Sequence, residues 1–321
     1  MRHTPWKRAV GLLIVLGVAV GAAVLLASKP DAPYDRAFDV RVASPAYSAN
    51  GPVVLFDEGH RNTHTTQTGY KPLADLFRND GYQVRTSLAA LSPERLADVS
   101  VLVLALGQGA NVTNDASAYS PTEMAAVEHF VRRGGSLLLI TDHWPYGSAV
   151  QALGRRFGVT MGAGLVQDPL HADSIRGDSH LVFTTSNGLL REHPVVRGRM
   201  PTERITSVIT FTGQSLSGPP GAVAFLALSD SATERLPTPA AVDSSNGNVR
   251  ISMEYGAPVA SSGRAQGLAF SDSAGRVVVL GEAGMLRAQR ARGGQAVGMN
   301  MTGYDNRQLA LNIMHWLSRL L

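Results

Sequence analysis

The chain contains no cysteine, which excludes disulfides, thiolate metal sites, a lipid-modified cysteine and a cysteine nucleophile. Lysine is nearly absent as well. Lys7, Lys29 and Lys71 are the only three, and every other basic residue is arginine. Net charge is almost absent from the body of the chain. The formal +4 comes from Arg2, Lys7, Arg8 and Lys29, which precede the first acid, Asp31; from position 31 on, 25 basic side chains stand against 25 acidic ones. A balanced folded part gives no reason to expect a nucleic-acid surface. Also missing are a Gly-x-Gly-x-x-Gly after a strand, a Walker A loop and a nucleophile elbow, since Gly213-Gln214-Ser215-Leu216-Ser217-Gly218 does not match one. Dinucleotide, nucleoside-triphosphate and serine-hydrolase functions are correspondingly weak.

One long apolar run is present. Ala9 to Ala27 carries no charge over 19 residues and follows Arg2, Lys7 and Arg8. At about 1.5 Å per residue it is long enough to cross a bilayer. The expected layout is a cytoplasmic tail over 1–8, a single transmembrane helix over 9–27 and a linker over 28–50 with Pro30, Pro33 and Pro45. Basic residues before the run place the remainder outside the cytoplasmic membrane, in the periplasm. A cleaved signal peptide is the competing reading, although no clean small-x-small site follows Leu26.

From residue 51 the pattern is that of an α/β domain reaching residue 321. Val53–Phe56, Val99–Leu106, Ser136–Thr141 and Val277–Leu280 have the continuous apolar character of strands buried on both faces. Helical stretches alternate with them. Ser120-Pro121-Thr122-Glu123 is a capping box with proline at the first helical position, Gly81 and Gly134-Gly135 are stop signals, and Asp305 with Gln308 can cap a final helix. This alternation predicts a doubly wound, mostly parallel sheet. Between about 159 and 275 the rhythm is lost in Gly-, Pro- and Ser-rich runs, which read as an irregular β-rich insertion, or alternatively as a small second domain.

Three of these strands run into acids. Val53–Phe56 leads to Asp57, Glu58, His60 and His64; Ser136–Thr141 leads to Asp142-His143; Arg276–Leu280 leads to Gly281-Glu282. If parallel, all three deliver their acids to the carboxyl edge of the sheet, where open α/β folds bind ligands. Asp57, His60, His64 and Asp142 make a candidate set for zinc, iron or manganese, and Glu58, His143 and Glu282 are candidate acid/base groups. In the plainer reading Asp57, Glu58 and Asp142 cap turns, and His60, Asn62 and His64 bond loop backbone. His171, Asp173, Asp178 and His180 form a second polar group inside the irregular region, while His193 before Pro194 reads as structural.

The order of parts resembles the class I glutamine amidotransferase-like (flavodoxin-like) superfamily, especially its cysteine-free, membrane-anchored members grouped as DUF4350-like or GldG/IFT52-like domains. The residues behind the resemblance are Phe56-Asp57-Glu58-Gly59-His60, Gly134-Gly135-Ser136, His193-Pro194-Val195-Val196, and Gly281-Glu282 followed by Asp305-Asn306-Arg307 and Asn312 to Leu317. It spans about Pro52 to Leu321. True amidotransferases place a cysteine in a tight turn after a central strand, and Asp142-His143-Trp144 occupies the equivalent position here. Glutaminase chemistry is therefore not expected, and fold analogy alone supplies no other.

Two functions follow as expectations. One is a membrane-tethered, divalent-metal-dependent hydrolase of a small or envelope-derived substrate, with metal-bound water brought to a pKa of about 7 and its proton taken by Glu58 or Glu282. The other is a non-catalytic ligand-binding or scaffold module of an envelope or transporter complex.

Overall fold

The computed structural model describes residues 23–24, 34–109, 116–243, 250–291 and 294–321. Its contacts divide the chain into two units, one of residues 1–27 with 239–254 and a larger one of 28–238 with 255–321. Within the smaller unit, Ala23 and Val24 form a short strand antiparallel to Ser252 and Ile251. Apart from those two residues, the expected anchor at 9–27 and the tail at 1–8 lie outside the described residues. Among the described residues no helix is long and apolar enough to cross a membrane.

The larger unit is a mixed α/β domain with a largely parallel sheet. Its sheet strands are β1 (Val53–Asp57), β2 (Gln83–Ser87), β3 (Val101–Ala105), β4 (Ser136–Ile140), β5 (Thr160–Met161), β6 (Leu216–Ser217), β7 (Val223–Ala227), β8 (Ala265–Asp272) and β9 (Gly275–Leu280). The order is β2-β1-β3-β4-β9-β8-β6-β5, with β7 also paired to β8. Strands β2, β1, β3, β4 and β9 run parallel. Antiparallel strands β8, β6, β7 and β5 extend the sheet beyond β9.

Burial on both faces explains the apolar runs. On one face Val54, Phe56, Val101, Val103, Leu138, Ile140, Val278 and Leu280 pack with Leu73, Leu76 and Phe77 of α1 (Lys71–Asn79) and with Leu309 and Ile313 of the C-terminal helix. On the other, the alternate residues Val53, Leu55, Leu102, Leu104, Leu137, Leu139, Val277 and Val279 pack with Met124, Val127 and Phe130 of α2 (Pro121–Arg132) and with Leu153 of the short α3 (Gln151–Arg156). The C-terminal helix, α4, spans Asn306–Leu317. A strand with period two feeding two cores must be apolar throughout, which is what these stretches are.

The punctuation works largely as expected. Ser120 and Glu123 close a reciprocal capping box on α2, and Gly81 follows α1 with φ +93°. Asp305 departs from expectation. It makes no side-chain cap on α4; instead its Oδ2 accepts from the Thr206 amide and hydroxyl and from the Ser207 amide.

Two expected boundaries move. Residues 34–50 are not a free linker: the Asp35 amide donates to Ala288 O, the Ala46 amide donates to Asp80 Oδ1 at 2.7 Å, and Phe38, Val42 and Tyr47 pack on the core. Their apolar residues are too sparse to show a period. Within the irregular region 159–275, expected as an insertion, β8 and β7 are integral strands of the sheet. β8 escapes notice because Gln266, Gly267 and Ser271 interrupt its apolar run.

Candidate functional site at the carboxyl edge

The parallel register brings Asp57, Asp142 and Glu282 to the same edge of the sheet, Asp57 as the last residue of β1 and the other two just past the ends of β4 and β9. They belong to two centres rather than one.

The first centre lies between the end of β1 and the start of α2. Asp57 is buried and accepts from the Gly59 amide, the Tyr119 hydroxyl at 3.2 Å and the His60 ring, whose Nδ1 lies 2.8 and 2.9 Å from its two oxygens. The other ring nitrogen of His60 is 2.7 Å from Glu123 Oε1. Glu123 in turn accepts from the Ser120 amide and hydroxyl and from the Leu91 amide. Burial works against a charged imidazole, but Asp57 and Glu123 outweigh it and hold the His60 pKa above its usual value. Burial also opposes the Glu123 charge, yet the bonds from Ser120, Leu91 and His60 bring its pKa down to about 2. The phenol of Tyr119 is pushed up by burial and by the Asp57 charge. This is a carboxylate–imidazolium–carboxylate tie that locks the loop after β1 to the start of α2. With both ring nitrogens occupied, His60 has no lone pair to offer.

The second centre lies between β4 and β9. Asp142 Oδ1 accepts from the His143 amide at 2.8 Å and Oδ2 from the Ala283 amide at 3.2 Å, so the two strand ends are joined directly. His143 Nδ1 donates to Trp144 O at 2.8 Å, leaving Nε2, 3.7 Å from Asp142 Oδ1, as the unprotonated nitrogen of the neutral ring. Asp142 and His143 are partly exposed, whereas Glu282 is 1% exposed. Glu282 accepts from the Gly284 amide at 2.6 Å and the Met285 amide at 2.7 Å. Burial raises the Asp142 pKa, opposed by His143, by the amides of His143 and Ala283, and by the charge of His64. Burial raises Glu282 well above the carboxylate range, and the neighbouring charge of Asp142 adds to it against the amides of Met285, Gly284 and Phe211. Two acids that disfavour each other's charge titrate as a pair, one holding a proton while the other is ionised.

The remaining candidates fall into place around these. His64 is buried, with its ring edge-on to Tyr70 at 5.3 Å, and its charge reaches Asp142. Glu58 stands apart: its Oε1 accepts from the Thr66 amide at 2.6 Å and shapes the loop. Asp57, His60, His64 and Asp142 thus do not converge. Among the described residues no three His, Asp or Glu side chains are disposed to hold a metal ion. His171 pairs with buried Asp168 at 3.0 Å, which also takes the hydroxyls of Ser229 and Ser231. Asp173 binds Arg176 and the Tyr304 hydroxyl. His193 caps the one-turn helix Pro194–Arg197 and packs on Trp316, a structural role as expected.

Glu123 and Tyr119 went unnoticed as members of the first centre, because the capping box already explains Glu123 in full. Gln214 is a further addition. Its Nε2 donates to Thr141 Oγ1 at 2.6 Å and its Oε1 accepts from the Ala163 amide, which ties the irregular region to the end of β4. No sequence signal marks it.

No protein-family model matches the chain, and no curated protein matches it. Solved structures do. The mmIFT52 N-terminal domain aligns with a TM-score of 0.56 at 14% identity, over 83% of this chain and 97% of that one. ThuA-like proteins from Bacteroides uniformis and Parabacteroides merdae align with TM-scores of 0.39 and 0.42 at 11% and 12% identity. They cover 86% and 84% of this chain and 93% and 90% of their own. At such identities the likeness is one of fold. The chain shares a mixed α/β fold with the mmIFT52 N-terminal domain and has no cysteine at any position.

Proposed function

We propose that the second centre is the working site, and that it performs general acid/base hydrolysis of a small or envelope-derived substrate. The observation that carries this is the direct joining of β4 and β9 through Asp142 and the Ala283 amide, which sets partly exposed Asp142 and His143 beside a buried acid. His143 takes a proton from water at Nε2. The resulting hydroxide adds to the electrophilic carbon of the substrate. As the bond to the leaving group breaks, the protonated member of the Asp142–Glu282 pair gives that group its proton, because opposed environments separate the roles of two neighbouring acids. In the same proposal, residues 9–27 anchor the domain in the cytoplasmic membrane with its fold on the periplasmic side, as a helix that replaces the short strand at Ala23 and Val24, and the chain groups with the DUF4350-like and GldG/IFT52-like domains. The likeness of fold to the mmIFT52 N-terminal domain supports that grouping.

Elemental analysis of the purified protein tests for the divalent metal expected from the sequence.

A non-catalytic binding module is favoured by one specific observation, that both Glu282 oxygens are already held by backbone amides. The test is a screen of the purified full chain against small esters, amides and glycosides, with Asp142→Asn and His143→Ala alongside. Turnover lost in both variants supports hydrolysis. Ligand binding without turnover, lost in both, selects the binding module; turnover that survives both ends the assignment of this site.

A further inference from the structure

The opposite edge of the sheet carries a separate feature. A cleft of about 320 Å³ opens at the amino ends of β1 and β4, lined by Pro52, Ser100, Arg133, Gly135, Ser136 and Arg319 among others, and no acid is among its lining residues. The nearest acid in sequence, Asp98, is bound to Arg85.

Among the described residues, both arginines donate to carbonyl oxygens only. Arg133 donates through Nη2 to Leu96 O at 2.6 Å and lies 5.8 Å from the centre of the Phe130 ring. Arg319 donates through Nη2 to Gly134 O and Ala274 O. A guanidinium has five N–H donors, so each retains donors, and among the described residues no Asp or Glu pairs with either. A third guanidinium, Arg276, is nearby; its pKa is lowered by burial and then by the charge of Arg319.

The backbone at Arg319 is the second observation. Helix α4 ends in a Schellman motif, with the Leu320 amide donating to His315 O and the Arg319 amide to Trp316 O. The residue after the C-cap of that motif takes the left-handed conformation that favours glycine. Here it is arginine, at φ +69°. Strain of this kind gathers where a side chain is needed in place, and the side chain in question forms one wall of the cleft.

We infer that this cleft is a binding site for a small tetrahedral oxyanion of the phosphate class, gripped between Arg133 and Arg319. Guanidinium forks match phosphate oxygens, and an acid-free lining leaves their charge available. The site lies on the edge opposite Asp142 and Glu282 and is independent of the function proposed there.

Calorimetric titration of the full chain with inorganic phosphate, at constant ionic strength in chloride, tests it. Arg319→Gly is the informative variant, because glycine suits the backbone conformation while the guanidinium is removed. The expected result is saturable phosphate binding, weakened about tenfold or more in both Arg319→Gly and Arg133→Gln, with the melting temperature of Arg319→Gly unchanged or raised. Absence of binding at millimolar phosphate, heat that chloride reproduces, or affinity that survives both substitutions overturns the inference.

Discussion

Nε2 of His60 lies 2.7 Å from Oε1 of Glu123, a contact that spans 63 residues of sequence and fastens the loop after β1 to the first turn of α2. Both side chains are only 11% exposed. Removing one partner of a buried ionic tie leaves the other charge uncompensated, which typically costs about 3–5 kcal/mol. Glu123→Gln is expected at the lower end, about 3 kcal/mol, because Ser120 and Leu91 still engage the side chain. Chemical denaturation measures it, and a loss below about 0.5 kcal/mol would show that the tie contributes nothing.

The same tie gives a pH signature. The His60 pKa is raised on folding, so its contribution is fully present below the unfolded value of about 6.5 and is lost as pH rises through the folded value. Glu123 is depressed to about 2, so its contribution is present above the unfolded value of about 4.3 and is lost as pH falls towards about 2. The melting-temperature gap between wild type and His60→Gln is therefore expected to be widest near pH 5–6 and to shrink by pH 9. A gap that widens from pH 6 to pH 9 contradicts this assignment.

Gly213 adopts φ +128°, and a Cβ there would meet Glu282 Cβ and Gly281 O, each at 2.8 Å. Gly213→Ala is expected to destabilise by about 1–3 kcal/mol through backbone strain and to displace Glu282. Thermal melts read the first effect and Glu282 chemical shifts the second. A neutral substitution would mean that the loop yields easily and does not fix Glu282.

Asn312 is fully buried, and its Nδ2 donates to Val195 O at 2.9 Å and Glu203 O at 2.8 Å. Asn312→Leu strands both carbonyls and is expected to cost about 2–4 kcal/mol. This accounts for a polar residue in the middle of an otherwise apolar helix, one that in the sequence stands out only as part of a family resemblance. A variant as stable as wild type would assign those carbonyls other partners.

Much of the fold was legible because the parallel strands feed two cores and so announce themselves as unbroken apolar runs. Leu137 and Leu139 face α2 while Leu138 and Ile140 face the opposite core. β8 was hidden because a residue such as Gln266 is acceptable in a strand when Thr210 bonds it, and nothing local shows that partner. At the site, the sequence shows which strands end in acids but not which acids meet. Asp57 and Asp142 leave strands separated by β3, and their partners Tyr119 and Ala283 come from distant segments that only the folded topology brings near. His60 is tied to Asp57 and Glu123, while the charge of His64, four residues on, reaches Asp142.

The most direct test of the central claim is a carbon-13 NMR titration of the side-chain carboxyls of Asp142 and Glu282, in wild type and in Asp142→Asn. The expected result is that one group of the pair keeps its proton well above the ordinary carboxylate range, and that Asp142→Asn lowers the pH at which Glu282 ionises. Two carboxyls that ionise at ordinary values, with Glu282 indifferent to the Asp142 substitution, would contradict a shared proton at this edge of the sheet and the site built on it.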